Sequence, residues 1–171
     1  MFKKFYPTIY RDSVYTTDFE EYKKQGYKAL FFDIDNTLVG HDAPANEAAI
    51  ELIGRLKEMG FAICILSNNH EPRVKSFSDA VGAQYVFEAH KPSGEGYEKA
   101  MQITGSDRTS SLAIGDQLFT DIWGANRAGI KSILVKPLGP ELLLKVKLKR
   151  IGEKIVLPFY RRYARKHPET I

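Results

Sequence analysis

One cysteine, Cys64, stands among 171 residues, so no intrachain disulfide can form. That usage fits a reducing compartment. Long apolar runs are missing as well. No stretch approaches the ~18 apolar residues that a membrane-spanning helix needs. The opening, Met1 to Pro7, has Lys3 and Lys4 but no apolar segment, so no signal peptide is expected there. The expected place is the cytoplasm, with peripheral contact at the inner membrane face. Internal repeats and low-complexity tracts are absent. Apolar residues make up 43% and charged residues 27%, which excludes a disordered, collagen-like or multi-span membrane chain. The length is that of one domain able to bury its own core.

Charge is present but unevenly spread. The net +4 comes from 25 Lys and Arg against 21 Asp and Glu. Residues 141–171 hold nine basic and three acidic residues, a local +6, which leaves residues 1–140 at −2. A basic block of this kind suits a polyanion: lipid headgroups, nucleic acid or an acidic partner. No nucleic-acid reader motif accompanies it, so nucleic acid is the weakest of these.

Three segments follow from the pattern. Residues 1–27 are an aromatic-rich lead-in without a clear period, expected to pack on the domain. Residues 28–140 carry a strand–helix rhythm. Strands are expected at Ala29–Phe32, Phe61–Leu66, Tyr85–Phe87, Leu112–Ile114 and Ser132–Val135. Between them lie helices. The first opens near Asp42 or Asn46, with Ile50, Ile53, Leu56 and Met59 facing inward. The second follows Pro72, with Val74, Phe77 and Val81 inward and Gly82 as its stop. A third spans Gly96–Ile103, and a short fourth runs from about Asp121 to Gly129. Alternation of this kind implies a parallel sheet covered on both faces. In the tail, residues 141–171, Leu144, Leu148, Ile151 and Ile155 form one stripe of a helix, which Pro158 is expected to break.

Ligands bind beyond the carboxyl ends of such strands. Four strand exits deliver Asp33, Ser67, Lys91 and Asp116 to that edge. In Asp33-Ile34-Asp35, positions i and i+2 of an extended exit point the same way, so two carboxylates share a pocket. Close carboxylates repel unless a cation intervenes. A magnesium ion that holds one, leaving the other to exchange protons, uses both facts. The competing reading is an Asp-rich turn that caps a helix. Ser67, followed by Asn68, can donate to a phosphoryl oxygen or simply cap. Lys91 can neutralise developing negative charge. Asp116 can ligate a metal. Asp121 can brace Lys91 or a metal-bound water, or serve as an N-cap.

Together these blocks resemble the haloacid-dehalogenase superfamily phosphatases over about residues 28–137. The resemblance implies an α/β, Rossmann-like, three-layer fold with parallel strand order 5-4-1-2-3. It implies Asp33 as the nucleophile that forms an aspartyl-phosphate, and Asp35 as the general acid and base. It also implies Mg2+ held by Asp33, the Asp35 backbone carbonyl and Asp116, with Ser67, Asn68 and Lys91 binding phosphate. An Asp at position 35 favours hydrolysis of a phosphate monoester, because an alkoxide leaving group needs an acid. A cysteine phosphatase is excluded, since His70 rather than Arg stands six residues after Cys64.

Asp35 and Ser67 are 32 residues apart and Ser67 and Lys91 are 24 apart, too few for an inserted cap domain. The resemblance is therefore to the capless subclass. The segment Trp123-Gly124-Ala125-Asn126-Arg127-Ala128-Gly129 is similar to the YqeG group, which is similar to phosphatidylglycerophosphate phosphatases. That implies a lipid phosphate as candidate substrate. A soluble sugar-phosphate or nucleotide phosphatase is one alternative. A phospho-accepting switch is another, and Asp35 argues against it. The tail is either a helix packed on the domain with a solvated basic face, or an anchor on anionic lipid. The oligomeric state is left open.

Overall fold

The computed structural model describes residues 2–140 and 144–167. Its centre is a six-stranded sheet, β1 (Ile9–Arg11), β2 (Ala29–Phe32), β3 (Ala62–Leu66), β4 (Gln84–Val86), β5 (Ser111–Gly115) and β6 (Lys131–Val135). All pairs are parallel, in the order β1-β6-β5-β2-β3-β4. The five expected strands stand in their expected order. The sixth, β1, comes from the lead-in and pairs Ile9 with Ile133. Three residues are too short to show a period, so only pairing with β6 reveals this strand.

The helices are α1 (Phe19–Lys24), α2 (Glu47–Glu58), α3 (Glu71–Val81), α4 (Glu95–Thr104), α5 (Trp123–Ala128) and α6 (Leu144–Ala164). Along β2 the side chains alternate between two cores. Leu30 and Phe32 pack with Leu52, Ile53, Val74 and Phe77 of α2 and α3. Ala29 and Phe31 pack with Tyr97, Ala100, Ala125 and Ala128 of α4 and α5. Both faces of the sheet are thus covered, as a parallel sheet requires.

Local chemistry sets the helix ends. The Asn46 side chain accepts from Ala49 N–H at 2.9 Å and starts α2, while Asp42 plays no part in that cap. Gly82 ends α3 in the left-handed conformation, φ +65°. Two expectations need correction. In α2 the buried residues are Ala49, Leu52, Ile53 and Leu56, whereas Ile50 is 44% exposed. A repeat of three drifts around a helix of 3.6 residues per turn. The spacing 49, 52, 53, 56 does not.

The second correction concerns α6. Leu144, Leu148, Ile151 and Ile155 form a helical stripe, but they point outward at 72, 62, 58 and 57% exposure. The inward residues are Glu153, Val156, Tyr160 and Ala164. Nor does Pro158 break the helix, which runs through it. Pro removes one backbone donor and crowds the preceding turn. Val156 and Tyr160, buried on either side of it, hold the helix against the domain. The lead-in aromatics complete that contact. Tyr6 lies 5.6 Å from Tyr160 and 5.3 Å from Tyr163, and Phe5 meets Phe119 at 4.8 Å. Among the described residues no helix is long and apolar enough to cross a membrane.

Candidate active site

The carboxyl ends of β2, β3 and β5, with the loop after β4, enclose a cleft of about 240 Å³. Asp33 leaves β2 while its N–H donates to the Ile114 carbonyl of β5 at 3.0 Å. Ser67 leaves β3 and its N–H donates to Val86 of β4 at 3.1 Å. Ladder bonds therefore hold both exits in place. Asp33, Asp35, Ser67, Asn68, Lys91 and Asp121 all line the cleft.

Lys91 organises the floor. Its Nζ donates to Asp33 Oδ1 at 2.7 Å, to Asp121 Oδ1 at 2.7 Å and to the Leu66 carbonyl at 2.8 Å. All three ammonium protons are used. Burial works against this charge, yet Asp121 and Asp33 outweigh it and raise the Lys91 pKa above its ordinary value. At Asp33, burial leads and Lys91 opposes it. With Asp121 and Asp35 nearby, the carboxyl is raised to about 7. Asp116 is pushed well above the usual carboxylate range by burial and by Asp121, against the pull of Arg150. A carboxylate that costs this much to ionise is one that a cation would relieve.

The donor set fits such a cation. Carboxylate oxygens of Asp33, Asp116 and Asp121 lie within 4.8 Å of one another. Buried hard-oxygen ligands in this number suit magnesium. The Asp35 carboxylate lies outside this group. It accepts from Asn69 Nδ2 at 2.6 Å, Arg73 Nη2 at 3.2 Å and the Asp42 N–H at 2.9 Å. Asp121 is held over β5 by the Gln117 N–H, at 3.0 Å. Gly115 makes that possible, since a Cβ there would meet Asp121 Cγ at 2.4 Å.

Asn68 is engaged with the backbone of Lys91. Its Oδ1 accepts from Lys91 N–H at 2.7 Å and its Nδ2 donates to the Lys91 carbonyl at 3.0 Å. The amide thus braces the lysine loop and keeps one N–H for a ligand. Ser67 is 2% exposed, and its Oγ accepts from Asn69 N–H at 3.2 Å, which leaves its own O–H to donate.

Several site residues escaped the sequence. Arg150 of α6 donates through Nη1 to the Asp116 carbonyl at 2.5 Å and through Nη2 to the Asp116 carboxylate. It also donates to Glu153 at 2.8 Å, and Glu153 accepts from the Leu118 N–H at 2.8 Å. Asn69 and Arg73 hold Asp35. The available signal is an Arg–Glu pair three apart inside a helix, in a tail whose net charge and apolar stripe dominate its sequence.

Comparison with known proteins places this arrangement. The model of the haloacid dehalogenase-like hydrolases matches residues 39–129. The chain is similar to "Probable phosphatase YqeG" of Bacillus subtilis, 38% identical over 140 residues that cover 81% of each chain. It is also similar to "Phosphatidylglycerophosphate phosphatase 1, chloroplastic/mitochondrial" of Arabidopsis thaliana, 31% identical over 137 residues. That match covers 71% of this chain but only 38% of the Arabidopsis protein. Among solved structures, a haloacid dehalogenase-like hydrolase from Brucella suis shares the fold with TM-score 0.56 at 12% identity, over 72% of this chain and 88% of that one. With the order of the strands, the exits that carry the carboxylates and the lysine, and these likenesses in hand, the chain belongs to the haloacid dehalogenase-like hydrolases, as a phosphatase.

Proposed function

We propose that the protein is a magnesium-dependent phosphomonoester hydrolase that works through an aspartyl-phosphate on Asp33. The observation that carries this reading is the buried contact of Lys91 with both Asp33 and Asp121, beside the oxygen cluster with Asp116. Asp33 attacks phosphorus through a carboxylate oxygen, and the bond from phosphorus to the ester oxygen breaks. Asp35 gives its proton to the departing oxygen. It then takes a proton from water, whose oxygen attacks the same phosphorus and returns Asp33 as a carboxylate. The products are an alcohol and inorganic phosphate. Splitting one displacement into two lowers each barrier. Lys91 offsets charge on the phosphoryl oxygens, and Ser67 donates to them, with Asn68 holding the Lys91 loop. Asp121 positions Lys91. Magnesium, held by Asp33, Asp116 and the Asp35 backbone carbonyl, would supply further positive charge at the phosphoryl group.

For the substrate we propose a lipid phosphate monoester, phosphatidylglycerophosphate first, met at an anionic membrane surface from the cytoplasmic side. Support comes from the relatives named for that activity. The absence of an inserted cap adds to it. Only α2 and β3 lie between Asp35 and Ser67, and only α3 and β4 between Ser67 and Lys91. The test is turnover in magnesium of p-nitrophenyl phosphate and of phosphatidylglycerophosphate in mixed micelles. Asp33→Asn and Asp35→Asn should each abolish both. Full activity in either variant sinks the mechanism. Preference for soluble sugar phosphates or nucleotides over the micellar lipid sinks the substrate.

A further inference from the structure

The helix α6 has two faces that do opposite things. One belongs to the active site. Val146 and Lys149 line the cleft, and Arg150 holds Asp116. Val156 and Tyr160, farther along, are buried against the domain at 3 and 2% exposure. The other face is the unexpected one. Leu144, Leu148, Ile151, Ile155 and Phe159 are between 51 and 72% exposed. At about 1.5 Å per residue these five make a continuous apolar strip about 22 Å long. Apolar side chains scattered singly on a surface need no explanation, but an aligned row does.

What flanks the strip limits its occupant. Lys147, Lys154 and Arg162 are exposed and, at about 100° per residue, lie on the strip or beside it. Lys3 sits over the Tyr163 ring at 5.5 Å, so the lead-in adds charge at the same end. The one acidic residue between 144 and 167 is Glu153, which is buried and paired with Arg150. A second copy of the chain laid on this strip would set these cations against their own kind. Nucleic acid would meet the cations but leave the leucines and isoleucines in water. An anionic bilayer satisfies both: headgroups meet the cations and the acyl boundary takes the apolar row.

We propose that the outward face of α6 docks the protein on anionic lipid, lying in the interface with the cleft-lining face turned to the catalytic domain. This deepens the lipid-phosphate reading and rests on it for its purpose. The helix that touches the bilayer is then the helix that borders the cleft through Val146 and Lys149, which holds the cleft close to the membrane surface. The docking itself needs no turnover and is tested without it.

The experiment is sedimentation of the full chain with vesicles of phosphatidylglycerol and phosphatidylcholine, or of phosphatidylcholine alone. Wild type should pellet with the anionic vesicles, less so as salt rises, and stay in solution with the neutral ones. The double variant Leu148→Glu with Ile155→Glu should bind at least about 10-fold more weakly, with unchanged turnover of p-nitrophenyl phosphate. As a second handle, Lys147→Gln, Lys154→Gln and Arg162→Gln together should weaken binding about 100-fold, roughly fivefold per charge. Equal binding by wild type and both variants overturns the proposal. So does failure of wild type to pellet with anionic vesicles, or a dimer that Leu148→Glu dissociates. Docking that vanishes while p-nitrophenyl phosphate is still hydrolysed leaves the phosphatase chemistry intact. Docking that holds while phosphatidylglycerophosphate resists hydrolysis removes only the substrate.

Discussion

Aspartates stand at both ends of the sheet, in opposite states. At the carboxyl end Asp33 is raised to about 7, chiefly by burial, and Asp116 is raised by burial as well. At the amino end Asp107, in the turn before β5, is lowered to about 2. It accepts from the Thr109 N–H and Oγ1 at 2.8 and 2.7 Å, and from the Ser110 N–H and Oγ at 2.9 and 3.0 Å. Asp107 is an exposed carboxylate whose donors are all local. Asp33 sits at the floor of the cleft with only 11% of its side chain exposed, and it depends on a lysine 58 residues away. The contrast separates two uses of one side chain. A structural aspartate is fully satisfied as an anion. In the proposed mechanism the attacking aspartate is the one left short of solvation, so its charge is available to a phosphorus or a cation.

The sharpest way to break this contrast is Asp33→Asn. Turnover of p-nitrophenyl phosphate should fall by at least about 10³-fold. Stability should respond the other way. The Asp33 pKa rises from 3.8 unfolded to about 7 folded, so the folded chain holds this proton more tightly. The contribution is full below pH 3.8 and is lost as pH rises through 7. In chelator, the urea midpoint of wild type should therefore drop between pH 5 and pH 8, and that of Asp33→Asn should drop less. Equal drops would mean that Asp33 is not under-solvated.

Lys91→Met comes next. It leaves Asp33 and Asp121 without the cation that both touch at 2.7 Å. Removing one partner of a buried pair costs about 3 kcal/mol. The loss should be larger at pH 8 than at pH 5, because protonation of Asp33, already raised to about 7, relieves its stranded charge. Turnover should fall about 10²-fold. A pH-independent loss would show that the lysine acts only as packing.

The same division into committed and uncommitted groups runs along α6. Val156→Ala, on the buried face, should lower stability by about 2 kcal/mol. Leu148→Ser, on the exposed strip, should stay within about 0.5 kcal/mol. Urea unfolding of the two side by side decides it. Comparable losses would mean that the strip is packed in solution.

Legibility in the sequence follows the range of the interactions. Asp33, Ser67, Lys91 and Asp116 were visible because a buried strand ends where an apolar run meets a polar residue, and Gly82 and Gly129 mark helix ends by local conformation alone. The strand β1 was not, since Ile9–Arg11 has too few residues to show alternation and exists through its pairing with β6. Periodicity announced a helix at 144–155 but not which way it faces. A stripe of leucines reads the same turned inward or outward, and the answer lies in Val156, Tyr160 and the aromatics of the lead-in. In the sequence Arg150 looks like one more surface charge for the same reason. Its partner Asp116 is 34 residues away, and only the docking of α6 brings the two together.

Asp107→Asn carries the smallest expected effect and tests the other half of the comparison. An amide keeps the shape but accepts through one oxygen without charge, so the turn of residues 107–110 should loosen. That turn matters to the sheet because Lys28 and Ala29 donate to the Ser110 carbonyl at 2.7 and 3.1 Å where β2 begins. The Asp107 pKa falls from 3.8 to about 2 on folding, so its contribution is present above pH 3.8 and lost as pH falls through 2. Wild type should therefore exceed the variant in urea midpoint at pH 6, with the gap shrinking below pH 4. Turnover of p-nitrophenyl phosphate should be unchanged, since the turn lies at the end of the sheet away from the cleft. A variant that lost activity while keeping its midpoint would show that the two ends of β5 are coupled, and that the amino-end aspartate does more than hold its turn.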